Sequence, residues 1–136
     1  MTDGKSQWRL VDCYAPVDGD DESPSFPINS QSDLRRELLR LAKEKPRIAE
    51  LYSASSNEGL RVGIGGPYAG LAWIKLPSIK MLTTSHIITD QVLVEFSMQG
   101  QPCALSPDEV HTPDQIIEIV CHYFTHQKMP EGLVWR

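Results

Sequence analysis

"RVGIGGPYAGLAWIK" (residues 61–75) sets four glycines, Gly63, Gly65, Gly66 and Gly70, among apolar residues. Two readings compete for it, and they lead to different folds. A dinucleotide cradle needs G-x-G-x-x-G leading from a strand straight into a helix whose N-terminus holds the pyrophosphate. Gly63 and Gly65 begin that pattern, but position 68 is Tyr, Pro67 precedes it, and "LAWIK" is β-like. The Lys-Ser or Lys-Thr pair of a P-loop is missing as well. The stretch is therefore predicted to be two antiparallel strands joined by a tight turn at "GGPY". Leu60, Val62 and Ile64 take one face; Arg61, Gly63 and Gly65 take the other. Bare glycines on a strand let a neighbour pack closely or relieve a bulge.

The elements on either side continue the strand signal. "RIAELYSA" precedes "GLRVGIGG" across "SSNE", a connection of hairpin length. Pro77 closes "AGLAWIKL", and "KMLTTSHIIT" fits a short strand or a loop equally. "QVLVEFSM" is the clearest strand, with Val92, Val94, Phe96 and Met98 on one face, and "QGQP" turns it into "CALS". "WRLVDCYA" is a possible first strand, whereas Pro16, Pro24 and Pro27 make "PVDGDDESPSFPINS" an irregular surface loop. Between loop and strands lies a helix capped by Ser30 or Ser32, with Leu34, Leu38, Leu41 and Ala42 as its buried stripe. Pro46 ends it, and Arg35, Arg36, Arg40 and Lys43 form a solvated back. A second helix opens on the capping box Thr112–Gln115 with Pro113 at its first position, and buries Ile116, Ile119, Val120, Tyr123 and Phe124. "LVWR" then ends the chain as a short strand or docked tail. The fold class is α+β: an antiparallel sheet of about five or six strands packed by an N-terminal and a C-terminal helix, in one domain over 1–136.

Composition narrows the function. The 136 residues are 40% hydrophobic and 23% charged, and no window reaches the roughly 18 apolar residues of a membrane span. The start, "MTDGKSQWRLVDCY", lacks a secretory signal. Cys13, Cys103 and Cys121 have no CxxC spacing and cannot all pair within the chain, which fits reduced thiols in the cytoplasm. The net charge is −5, and "DGDDE" gathers Asp18, Asp20, Asp21 and Glu22 with no base between Arg9 and Arg35. Nucleic acid wants the opposite, a basic stripe that displaces counterions. A solvated loop accounts for the run by itself; an acidic surface also suits a basic protein partner.

Chemistry is thin. Glu118, His122 and His126 lie at i, i+4, i+8 on the last helix, a stripe able to ligate metal. The Glu directly after the first His of a zinc protease is missing, and a solvated helix face explains the stripe. No G-x-S-x-G elbow occurs, Cys13 and Cys103 show no sign of activation, and His86 and His111 are isolated. The expectation is no catalytic residue, no cofactor, no metal and no enzyme. Trp73 and Trp135 read as core. Tyr68, at the tip of the glycine turn, either anchors a protein interface or packs back on its own sheet.

Residues 47–136 resemble a known pattern: "GLRVGIGGPYAGLAWI", then "VLVEFSMQGQP", then "SPDEVHTPDQIIEIVCHYFTHQKMPEGLVWR". Gly63, Gly65, Gly70, Leu71, Trp73, Phe96, Val110, Phe124, Pro130 and Trp135 carry it. The pattern is similar to the first-numbered family of immunity proteins from bacterial polymorphic toxin systems, encoded beside nucleic-acid deaminase toxins. The resemblance implies a small α+β protein that binds and blocks its cognate toxin without catalysis of its own. It supplies no active-site residues, and the acidic "DGDDESPSFP" loop is not part of the pattern. Asp18, Asp20, Asp21 and Glu22, with Glu58 and Glu95 near strand edges and Tyr68 at its turn, are the expected partner-binding residues. The rivals are a small-ligand module walled by the glycine face and Trp73, and a metal enzyme using Glu118, His122 and His126.

Overall fold

A computed structural model describes residues 7–16 and 23–136. Among these, β1 (Trp8–Asp12) and β2 (Ser25–Ile28) precede α1 (Gln31–Ala42). Then come β3 (Arg47–Ser53), β4 (Glu58–Ile64), β5 (Gly70–Lys75), β6 (Ser78–Thr83), β7 (Val94–Met98) and β8 (Gln101–Leu105). A 3-10 turn at Pro107–Glu109, α2 (Pro113–His126) and β9 (Val134–Trp135) complete the order. The architecture is α+β, with a sheet running β2-β1-β3-β4-β5-β6-β9 and all these neighbours antiparallel. The β7–β8 hairpin joins it through one parallel bridge, Arg47 to Ser97.

Nine strands replace the five or six expected. One addition, β2, lies inside the proline-rich stretch predicted to be irregular. It is an edge strand paired only with β1, and an edge tolerates the missing N–H of Pro27 because half its backbone groups face away from the sheet. The ambiguous "KMLTTSHIIT" divides: its first half is β6, and the chain then runs without regular structure to Val94. Val92 is consequently no core residue. It is 83% exposed, since β7 begins at Val94, opposite the last residue of β8.

One face of the sheet is buried by helices. Ser30 Oγ accepts from the Asp33 amide at 3.1 Å to start α1, and Thr112 and Gln115 exchange both bonds of a capping box to start α2. Leu34, Leu38 and Leu41 from α1 and Ile116, Ile117, Val120 and Tyr123 from α2 bury Leu10, Leu51, Leu60, Val62, Ile64 and Leu71. Arg35–Glu118 at 2.8 Å and Gln31–Thr125 at 2.7 Å tie the two helices together.

The other face has a second, smaller core, made because β7–β8 folds over it. Val94, Phe96 and Leu105 meet Ile48 and Val110, with Met81 and Ile88 packed against them. Here the glycines find their use. A Cβ on Gly63 would stand 3.2 Å from the Phe96 ring, and one on Gly70 would run into Leu105 Cδ1. The hairpin can therefore lie flat on bare backbone, worth about 25 cal/mol per Å² of apolar surface removed from water. Gly65 and Gly66, at φ 112° and 79°, make the turn between β4 and β5.

Candidate partner-binding face

Strand register writes the helix-free face as three rows. Ile48, Gly63 and Gly70 form the row beneath the hairpin. Next come Val11, Glu50, Arg61, Ala72 and Met81, and beyond them Arg9, Tyr52, Gly59, Ile74 and Ile79. Cover fades across the rows. Ala72 is still buried, whereas Tyr52 is 40% and Ile79 53% exposed, with Leu76 in the β5–β6 turn at 59%. Tyr52, Leu76 and Ile79 thus leave large apolar side chains open on this side of the sheet. Gly59 sinks the middle of the outermost row, leaving a hollow of about 210 Å³ lined by Tyr52, Ile74 and Leu76, with Glu50 and Glu58 among its walls.

The charges are organised by internal pairing. Arg47 is nearly buried, holds Asp12 at 3.0 Å and stacks over the Tyr14 ring at 4.2 Å. Arg61 holds Glu50, Arg35 holds Glu118, Arg36 and Arg40 share Glu37, and Arg136 holds Asp108 and Glu109. Arg9, the remaining arginine, donates to Ser25. Glu44, Asp90, Glu95, Asp114 and Glu131 are exposed and belong to none of the ion pairs formed among the described residues.

The expected partner-binding residues do not converge. Asp18, Asp20, Asp21 and Glu22 lie outside the described residues. Tyr68 is half-buried and packs back on the second core. Glu95 is exposed on β7, beside a shallow groove formed with Tyr14, Lys45, Pro46 and Gly100. Glu58, at the start of β4, is half-buried and engaged: its Oε2 accepts from Tyr123 Oη at 2.8 Å and from Trp73 Nε1 at 3.2 Å. That carboxylate joins α2 to the sheet, and burial with its hydrogen bond pushes the Tyr123 phenol up.

The rival sites fare differently. The bare glycine face is filled by Phe96 and Leu105, which leaves no pocket wall at Gly63. Glu118 is held by Arg35, and the rings of His122 and His126 are tilted at 47° to each other with centroids 4.4 Å apart. Among the described residues no group of three or more His, Cys, Asp or Glu is placed to share a metal ion. Burial, then the charges of Glu50 and Asp12, push the Cys13 thiol up to about 11, away from a reactive thiolate. No helix among the described residues is long and apolar enough to cross a membrane.

Tyr52, Ile74, Leu76 and Ile79 are the residues that sequence reasoning missed. Alternation in "RIAELYSA" separates Tyr52 from Leu51, but both faces of β3 carry apolar residues, and only the position of the hairpin decides which part stays open. No family model matches the chain, and no curated protein matches it.

Proposed function

We propose that this chain is an immunity protein: it binds a cognate bacterial toxin, a nucleic-acid deaminase, and neutralises it by stoichiometric contact. The observation that carries the reading is the pairing of the arginines. Six of the seven are held by carboxylates of the chain and the seventh by Ser25, so the side chains best suited to grip phosphate are already engaged. The net charge of −5 comes mostly from Asp3, Asp18, Asp20, Asp21 and Glu22, which lie with Lys5 outside the described residues. An enzyme that acts on nucleic acid carries a basic groove, and an acidic inhibitor is steered to it electrostatically. The open sheet face supplies the apolar contact that outlasts the encounter.

The test is reconstitution with the product of the neighbouring gene, which this reading requires to carry a deaminase toxin domain. Purified together, the two are expected to form a 1:1 complex in which deamination stops, with an association rate that falls as salt rises. Neutralising Asp18, Asp20, Asp21 and Glu22 together should flatten that salt dependence. A toxin that stays fully active at excess of this protein would end the reading.

A further inference from the structure

We infer that His122 and His126 form a two-point site for one divalent transition-metal ion of the class that seeks imidazole nitrogen: Zn²⁺, Ni²⁺ or Cu²⁺. The inference does not depend on the inhibitor reading. The helix places the pair. Thr112 and Gln115 fix the start of α2, and Ile116, Val120 and Tyr123 turn inward to the core. Residues 122 and 126 then fall one turn apart on the outer side, with His122 half-buried and His126 exposed. No hydrogen bond or ion pair among the described residues engages either imidazole, so the ring nitrogens are free to bind. Spacing puts Glu118 in the same stripe, but Arg35 holds its carboxylate at 2.8 Å. What is left is a pair.

The distances suit a metal. Two bonds of about 2.0–2.1 Å join nitrogens that lie within about 4 Å of each other. Ring centroids 4.4 Å apart are inside that reach, because the nitrogens sit on the ring perimeters. The 47° tilt shows that the rings are not stacked flat, and rotation about the last side-chain bond turns an edge of each toward a common point. A helix holds the second imidazole beside the first, so the second bond forms at high effective concentration. The helix end adds to this. Gln127 caps α2 by donating its backbone N–H to the Tyr123 carbonyl at 2.7 Å, which leaves His126 in the last turn, where the dipole favours a cation. Imidazole selects zinc, nickel and copper, whereas Mg²⁺ and Ca²⁺ take oxygen ligands.

The full chain, isotopically labelled and without an affinity tag, is titrated with Zn²⁺ while the ring resonances of the four histidines are followed by NMR. The rings of His122 and His126 should shift together, with one midpoint and one ion per chain, and Mg²⁺ should move neither. His86 and His111 are the internal references; His111 Nε2 already meets the Leu82 carbonyl oxygen at 3.2 Å. His122→Gln and, independently, His126→Gln should each raise the midpoint of the remaining ring at least tenfold. Rings that bind independently would leave that midpoint unchanged, and this result would overturn the site, as would an equal midpoint at His86. Glu118→Gln, which removes a carboxylate already held by Arg35, should alter the midpoint less than threefold. A tenfold loss from that variant would replace the two-point site by the three-residue stripe.

Discussion

Gly65 and Gly66 stand side by side with left-handed φ values, yet substitution should separate them. A Cβ on Gly65 would lie 2.7 Å from the Lys45 carbonyl oxygen and 2.8 Å from Pro46 Cα, both backbone atoms that cannot swing aside. One on Gly66 would find only Pro46 Cγ at 3.8 Å. Gly66→Ala is expected to cost about 1 kcal/mol of backbone strain, and Gly65→Ala that strain plus roughly 1–3 kcal/mol of overpacking. Urea denaturation of both variants measures the gap. Arg47 makes a second case. With its side chain 10% exposed and Asp12 at 13%, Asp12→Ala would leave a guanidinium unpaired and should destabilise by about 3 kcal/mol, whereas Arg36→Ala, on the surface, should cost under about 1 kcal/mol. The glycines were legible as a turn with a bare strand face. Phe96, some thirty residues further on, was not identifiable as what fills it, because nothing local links the two.

Among the elements, α2 is held at both ends by polar contacts that its apolar stripe does not reveal. Near its C-terminal half, Tyr123→Phe removes the bond to Glu58 and is expected to cost about 1.5–3 kcal/mol, as for a hydrogen bond to a charged group. Just before its N-cap, His111 is buried, exchanges backbone bonds with Ala69, and places Nε2 3.2 Å from the Leu82 carbonyl oxygen. Burial lowers its pKa and the Leu82 contact opposes that, the net direction being down. The folded state therefore favours the neutral ring. The stabilisation is complete above the unfolded value of about 6.5, and is lost as pH falls through the lower folded value. Melting temperature should drop more steeply for wild type than for His111→Asn between about pH 7.5 and about pH 5.5. The capping boxes were readable from spacing, since caps are local chemistry. The start of β7 was not: Val92 continues the alternation of Val94 and Phe96, but β8 ends at Leu105 and offers it no partner.

For the whole molecule the governing quantity is the net charge of −5, most of it carried by acids outside the described residues. Association with a basic partner should slow several-fold between low and physiological salt, while dissociation, set by the apolar face, should change little. Stopped-flow mixing at several ionic strengths separates the two rates. Alternation, capping motifs and glycine punctuation are properties of neighbouring residues, so the amino-acid sequence by itself determined an α+β chain of strands between two capped helices, with an acidic balance. Which carboxylates remain free depends on arginines distant along the chain, as Arg35 with Glu118 and Arg136 with Asp108 show. Only the tertiary structure decided that Glu58 is a tie between sheet and helix, that Tyr68 packs inward, and that Tyr52, Ile74, Leu76 and Ile79 stay open. The physical reason is that burial belongs to whatever lies across a face, and the β7–β8 hairpin covers just one end of this one.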